Sequence, residues 1–188
     1  MKNLAAKINA LIKDDQIFNS QTDIMHLAHQ YALTKCHQYN ETVNQNQGYH
    51  EKLLTSLFKK CGSDLYIEPN FYCEFGFNIE LGNEVFLNHD CILQDFAPIT
   101  IGNQANIAPK VGFYTAAPPK KANRKQHDLI ARPITLENNV WVGGNAAILG
   151  GVTIGKNSII GAGSVVTNDI PANSIAVGNP AKVIKKLD

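Results

Sequence analysis

Few side chains in this sequence could do acid–base or ligand chemistry, and their spacing narrows what that chemistry is. There are four cysteines and six histidines in 188 residues. Cys36, Cys61, Cys73 and Cys91 show neither a Cys-x-x-Cys pair nor the Cys/His spacing of a zinc site, and they do not form a disulfide framework. They read as structural, and no metal is expected. Histidine is the side chain suited to taking a proton near neutral pH. His26, His29, His37 and His50 fall in an N-terminal stretch of helical periodicity and read as ordinary. His89, in the run NHD, and His127 remain. His127 lies in a polar stretch, 114–133 (YTAAPPKKANRKQHDLIARP), with Lys120, Lys121, Arg124, Lys125 and Arg132. A loop of this length in a compact fold is either functional or a solvated excursion, and the residues alone leave both open.

The elements that must position these groups are of two kinds. With 44% hydrophobic and 18% charged residues the chain supports one core. A net charge of +1 gives no field that would recruit nucleic acid or an anionic membrane. Residues 1–13 lack a continuous apolar run and a small-residue cleavage site, and no stretch approaches the roughly 20 apolar residues of a membrane span, so a cytoplasmic protein is expected. Residues 17–60 place apolar side chains at helical intervals, as in Ile24, Leu27, Ala28 and Tyr31, then Leu53, Leu54, Leu57 and Phe58. Two helices fit, the first capped by Thr22 or Asp23, with 40–48 between them and Gly62 ending the second. An N-terminal helical segment over 1–63 is the expectation.

Beyond residue 64 the period becomes six. Aliphatic or similar residues recur at Ile67, Cys73, Leu81, Leu87, Leu93, Ile101, Ile107 and Phe113, and again at Leu136, Val142, Ile148, Ile154, Ile160 and Val166. A second small or apolar residue follows each by four. Two steps are eight residues long, Cys73 to Leu81 and Leu93 to Ile101, and one long interruption separates Phe113 from Leu136. Three hexads make one triangular coil, each strand pointing a large residue inward, with the small residue and glycines such as Gly102, Gly143, Gly155 and Gly161 easing the corners. The alternative, a β-sandwich of period two, does not fit. The expected fold is mainly β: a left-handed parallel β-helix over 64–188, with a loop excursion at 114–133 and a C-terminal tail.

The runs NIELGNEVFLNHDCILQDFAPITIG (78–102), IAPKVGFYTA (107–116) and PITLENNVWVGGNAAILGGVTIGKNSIIGAGSVVTNDIPANSIAVGNPAKVI (133–184) closely resemble the maltose and galactoside O-acetyltransferases. The likeness extends to IFNSQTDIMHLAHQYALTKCHQYN (17–40) and so covers nearly the whole chain. It implies a homotrimer, with sites in the clefts between neighbouring β-helices, that moves an acetyl group from acetyl-CoA to a hydroxyl of a sugar or similar small molecule. By position it assigns CoA contacts to Trp141, Gly144, Ala162, Thr167, Lys182 and Lys185, and acceptor contacts to Glu74, Asn88 and Asp95. For Asp95, satisfying the turn of the eight-residue step is the other reading. Two departures stand out. The lysine that follows the family's threonine is Asn168 here. The family's catalytic histidine, in a stretch like YTATHP, is Pro118 in YTAAPP, and proline cannot take a proton. His127 and His89 are the weak substitutes. The resemblance therefore implies an acetyl-CoA-dependent O-acetyltransferase with impaired activity, or a catalytically silent relative that binds CoA or a sugar.

Overall fold

Each hexad builds one short strand and one corner, and the computed structural model, which describes residues 2–13, 15–45, 52–121 and 123–188, shows how successive coils lock together. The strands stack into three parallel sheets that form the faces of a prism. The first face runs from Tyr66–Ile67 through Phe86–Leu87, Asn106–Ile107, Trp141–Val142 and Ile159–Ile160 to Ser174–Val177. The second comprises Tyr72–Cys73, Ile92–Gln94, Gly112–Tyr114, Ala147–Leu149 and Val165–Val166. Lys60–Cys61, Ile79–Leu81, Ile99–Ile101, Ile134–Leu136 and Thr153–Ile154 make the third. The register keeps every repeat in line, with Leu87 beside Ile107 and Leu93 beside Phe113 and then Ile148. These columns fill the prism with buried aliphatic side chains, burial that no single coil could achieve alone.

The inward set is larger than one residue per hexad. The residues four positions on, such as Phe71, Val85, Cys91, Ala105, Val111, Val140 and Ala146, are buried too. Most are preceded by a residue in the left-handed region, among them Asn70, Asp90, Asn139 and Asn145, and asparagine and aspartate tolerate that conformation better than most side chains. The corner glycines serve a different purpose from the one expected. At Gly102 a Cβ would lie 2.7 Å from the carbonyl carbon of Glu137 and 2.8 Å from the backbone nitrogen of Asn138, so glycine there permits one coil to approach the next.

The solenoid begins at Lys60, which pairs beside Glu80, rather than at 64. Gly62 accordingly sits at a prism corner and does not end a helix. Three helices precede the solenoid: α1 (Lys2–Leu11), α2 (Asp23–Asn44) and α3 (Lys52–Thr55). Sequence periodicity missed α1, which tucks Ile8 under a second apolar cluster outside the prism. Thr22 caps α2, its hydroxyl accepting from the Met25 N–H at 3.4 Å. The helix runs on into the stretch expected to be a turn, whose remainder, with His50, lies outside the described residues. Met25, Ala28, Ala32, Cys36 and Tyr39 form its buried face. Asn40 closes the open end of the first coil by donating to Phe71 O and accepting from Phe71 N, both at 3.1 Å, as a solenoid's terminal cap must.

Candidate active site

All the interruptions of the six-residue period fall on the same corner, between the second and third faces, so the extra residues of successive coils stack on one another. Phe75, Phe77 and Phe96 project there and pack with Phe18, Met25 and Ala131. Phe75 stacks on Phe77 at 5.1 Å and meets Phe96 edge-on at 5.2 Å. Beneath them lies Asp95, fully buried. Its carboxylate accepts from the backbone N–H of Phe75 (2.8 Å), Gly76 (3.1 Å) and Asn78 (3.2 Å). Burial pushes its carboxyl up to about 7, partly offset by those three donors. This geometry corrects the acceptor role for Asp95: with no exposed surface and its oxygens occupied, it holds the extra turn together.

The long excursion after Tyr114, expected as a loop, carries two strands. Ala116–Ala117 pairs with Asp128–Ala131, which pairs in turn with Phe18–Asn19, giving a small antiparallel sheet outside the prism. Thr115 anchors its root, accepting from the Ala97 N–H at 3.1 Å while its hydroxyl donates to Gln94 O at 2.5 Å. Between this sheet and the second face opens a cleft of about 480 Å³ lined by Tyr114, Pro118, Lys120, Arg132, Leu149 and Thr167, among others. Its two cations suit an anionic ligand, although Arg132 also meets Asp15 at 2.5 Å. Pro118 stands exposed on the rim and offers no group that could accept or donate a proton.

The register draws one outward row along the second face. Gln94, Tyr114 and Leu149 pair directly, Glu74 joins below them through its N–H to Leu93 O at 3.3 Å, and Thr167 follows Val166 above. At the lower end Glu74 Oε1 lies 3.2 Å from His29 Nδ1 on α2. Burial pushes the Glu74 carboxyl up and His29 pulls it partly back. The next rung holds Gln94, whose Oε1 is buried without a hydrogen-bond partner among the described residues.

The remaining predicted residues lie elsewhere. Asn88 and His89 sit at the corner between the first and second faces, where the Asn88 side-chain oxygen accepts from the His89 N–H at 2.9 Å and the His89 side chain is exposed. His127 is exposed, and its carbonyl accepts from Ser20 N at 3.0 Å and Ser20 Oγ at 3.2 Å. Neither histidine is seen in the cleft lining. Trp141 projects, 44% exposed, from the first face. The Gly143–Gly144 turn beside it packs on the coil above, for a Cβ on Gly143 would fall 2.5 Å from Ala162 N. Lys182 and Lys185 belong to the strand Lys182–Lys186, which folds back antiparallel on Ser174–Val177, so the expected tail is ordered and exposed. Thr167 donates to Asn168 Oδ1 at 2.9 Å. Within one chain, then, the residues expected to contact the cofactor divide: Thr167 borders the cleft, while Trp141, Gly144 and Ala162 occupy the neighbouring corner.

Sequence reasoning passed over His29 and Gln94. A signal for His29 existed, since it lies four residues after Met25 and three before Ala32 and so shares the buried face of α2. Nothing in the sequence marked Gln94. Among the described residues no three metal-ligating side chains cluster, and no helix is long and apolar enough to cross a membrane.

Comparison with known proteins agrees with this architecture. Residues 133–168 match the bacterial transferase hexapeptide (six repeats) family. The galactoside O-acetyltransferase of Escherichia coli (strain K12) is 37% identical over 156 residues, which span 82% of this chain and 77% of that protein. A crystal structure of a maltose O-acetyltransferase from Clostridium difficile 630 superposes with a TM-score of 0.88 at 38% identity, covering 92% of this chain and 93% of the other. A hexapeptide-repeat acetyltransferase from Vibrio cholerae, solved with acetyl-CoA, gives a TM-score of 0.87 at 32% identity, covering 97% and 98% of the two chains. A six-residue period stacked in three faces, in a chain that matches these proteins along most of its length, makes this chain a member of the hexapeptide-repeat acetyltransferases.

Proposed function

We propose that the protein transfers an acetyl group from acetyl-CoA to a hydroxyl of a sugar or similar small molecule. The observation that carries this reading is the cleft beside the second face: it joins the cations Lys120 and Arg132 to the upper part of the outward row, Thr167, Leu149 and Tyr114. The cations suit phosphate groups, and Leu149 and Gly150 give the pantetheine arm an apolar and backbone surface. The solved Vibrio cholerae relative with acetyl-CoA supports acetyl-CoA as the co-substrate. A homotrimer would set the Trp141, Gly144 and Ala162 corner of one copy, with Lys182 and Lys185, against the cleft of another and so reunite the divided cofactor set. Glu74 and Asn88 would then face the acceptor, in a cytoplasmic enzyme.

Turnover is impaired in this reading, because Pro118 stands where the family's stretch carries histidine. The same residue favours a second reading, a silent relative that binds CoA or a sugar without reacting. The test is release of free thiol from acetyl-CoA with a panel of sugars, run on the wild type and Pro118→His, beside calorimetry of CoA binding. Under the first reading both turn over, and the substitution raises the rate by up to roughly 100- to 10,000-fold, the full factor only where no other group takes the proton. Turnover by the substituted protein alone selects the second. Absence of CoA binding sinks both.

A further inference from the structure

We infer that the proton acceptor absent at Pro118 is supplied by His29 through its Nε2, with Glu74 holding the ring. The inference rests on the acetyltransferase reading and deepens it.

The hydrogen-bond pattern assigns the tautomer. His29 Nδ1 lies 3.3 Å from the carbonyl oxygen of Glu74 and 3.2 Å from its Oε1. With the carboxylate ionised both oxygens only accept, so Nδ1 carries the hydrogen. In the neutral ring the lone pair is then on Nε2, for which no partner is found among the described residues. An imidazole oriented through one nitrogen by a carboxylate, with the other free, is the arrangement of a general base. His29 and Glu74 line a small polar cavity of about 90 Å³ together with Ser20, Gln21, Met25 and His26. His26 is the titratable group facing the pair from α2 itself, and Cys36, Cys73 and Asp95 lie behind it.

Two routes through the fold place this cavity beside the cleft. Along the outward row, Glu74 is two rungs below Tyr114, roughly 10 Å at about 4.8 Å per strand spacing. Across the outer sheet, Phe18–Asn19 is two strands from Ala116–Ala117 and offset by two residues along the strand between them, roughly 12 Å in all. Ser20 follows the first of these strands into the cavity, and Pro118 follows the second onto the cleft rim. Between the two ends stands Gln94, whose buried, unpaired Oε1 lacks a donor. An acceptor long enough to span the cavity and the cleft would bring its reacting hydroxyl between His29 and the thioester.

The step balances without a further reagent. Nε2 takes the hydroxyl proton as the oxygen attacks the thioester carbonyl carbon. The C–O bond forms, the C–S bond breaks, and the CoA thiolate recovers the proton from His29. The products are the acetyl ester and free CoA.

Kinetics of thiol release by His29→Gln, Glu74→Gln and His29→Ala, each checked for acetyl-CoA binding by calorimetry, test the inference. His29→Gln should lower kcat roughly 100- to 10,000-fold with acetyl-CoA binding intact, and Glu74→Gln should lower it by a smaller factor, since the carbonyl still holds the ring. The acid limb of the wild-type kcat profile should vanish in His29→Gln. Added imidazole should restore turnover in His29→Ala, which a purely structural histidine would not allow. A His29→Gln protein with wild-type kcat, or with only its KM for the acceptor raised, overturns the inference and leaves the acetyltransferase reading standing. A wild type that binds acetyl-CoA and releases no thiol also overturns it. A wild type that does not bind acetyl-CoA overturns the reading itself.

Discussion

Two corners of the same prism are built on opposite plans. Between the third and first faces the chain repeats without interruption. There the Asn83 side-chain oxygen accepts from Ser63 N (2.9 Å), Asn103 from Asn83 N (2.8 Å) and Asn138 from Asn103 N (2.8 Å), an asparagine ladder beside glycines that let the coils touch. Between the second and third faces every long interruption accumulates, and the turns are held by groups that do not repeat: Asp95 beneath the phenylalanines and Thr115 at the root of the outer sheet. The plain corner propagates the fold by identical small contacts, each worth about 1 kcal/mol. The decorated corner leaves the period, concentrates its energetics in single buried groups, and gains a cleft.

That contrast can be broken at either corner. The largest effect belongs to Asp95→Ala, which strands three buried N–H groups at about 1 to 3 kcal/mol each. We expect a loss of about 3 kcal/mol or more in urea unfolding, and a loss below about 1 kcal/mol would show that the turn does not depend on this carboxylate. The sign of its pH dependence also follows. Because the folded-state value is raised to about 7 from 3.8, the folded protein binds the proton more tightly than the unfolded chain. That contribution is whole below pH 3.8 and is lost as the pH rises through 7. Wild-type stability should therefore fall over this window relative to Asp95→Asn, and a rise would mean that the backbone donors outweigh burial.

At the plain corner Gly102→Ala forces a Cβ against the next coil and should cost about 1 to 3 kcal/mol, read from the same unfolding curves. Asn103→Ala removes one rung of an exposed ladder and should cost about 1 kcal/mol. A much larger loss would show the ladder to be cooperative. The smallest effect is expected at the exposed pair between Arg132 and Asp15, where Asp15→Asn should cost below about 1 kcal/mol. That variant also frees Arg132, so tighter CoA binding by calorimetry would tie the arginine to the cleft.

Legibility in the sequence followed the same division. The plain corner was readable because its residues recur at a fixed interval, and so do the inward columns through Leu87, Ile107 and Val142. Pro118 was equally visible, since it interrupts a recognisable stretch. Asp95 was legible as a carboxylate in an eight-residue step and illegible as to direction, because the two extra residues break the alternation that says which side faces in. In α1 the helical spacing of Leu4, Ile8 and Leu11 was there to be read, whereas the docking of Ile8 on the outer cluster rather than the prism was not.

By itself, then, the order of residues determined the period, the three faces, the membership of the acetyltransferase family and the absence of a histidine at 118. The reason is that a solenoid is stabilised by contacts between neighbouring coils, which a local repeat writes out in full. What only the tertiary structure decided is the company each polar group keeps. Asp95 turned inward to backbone donors 17 to 20 residues away, and His29, read as an ordinary helical histidine, met Glu74 across 45 residues of chain. Contacts of that separation depend on how α2 docks on the first coil and on which corner gathers the insertions, and neither leaves a period to read.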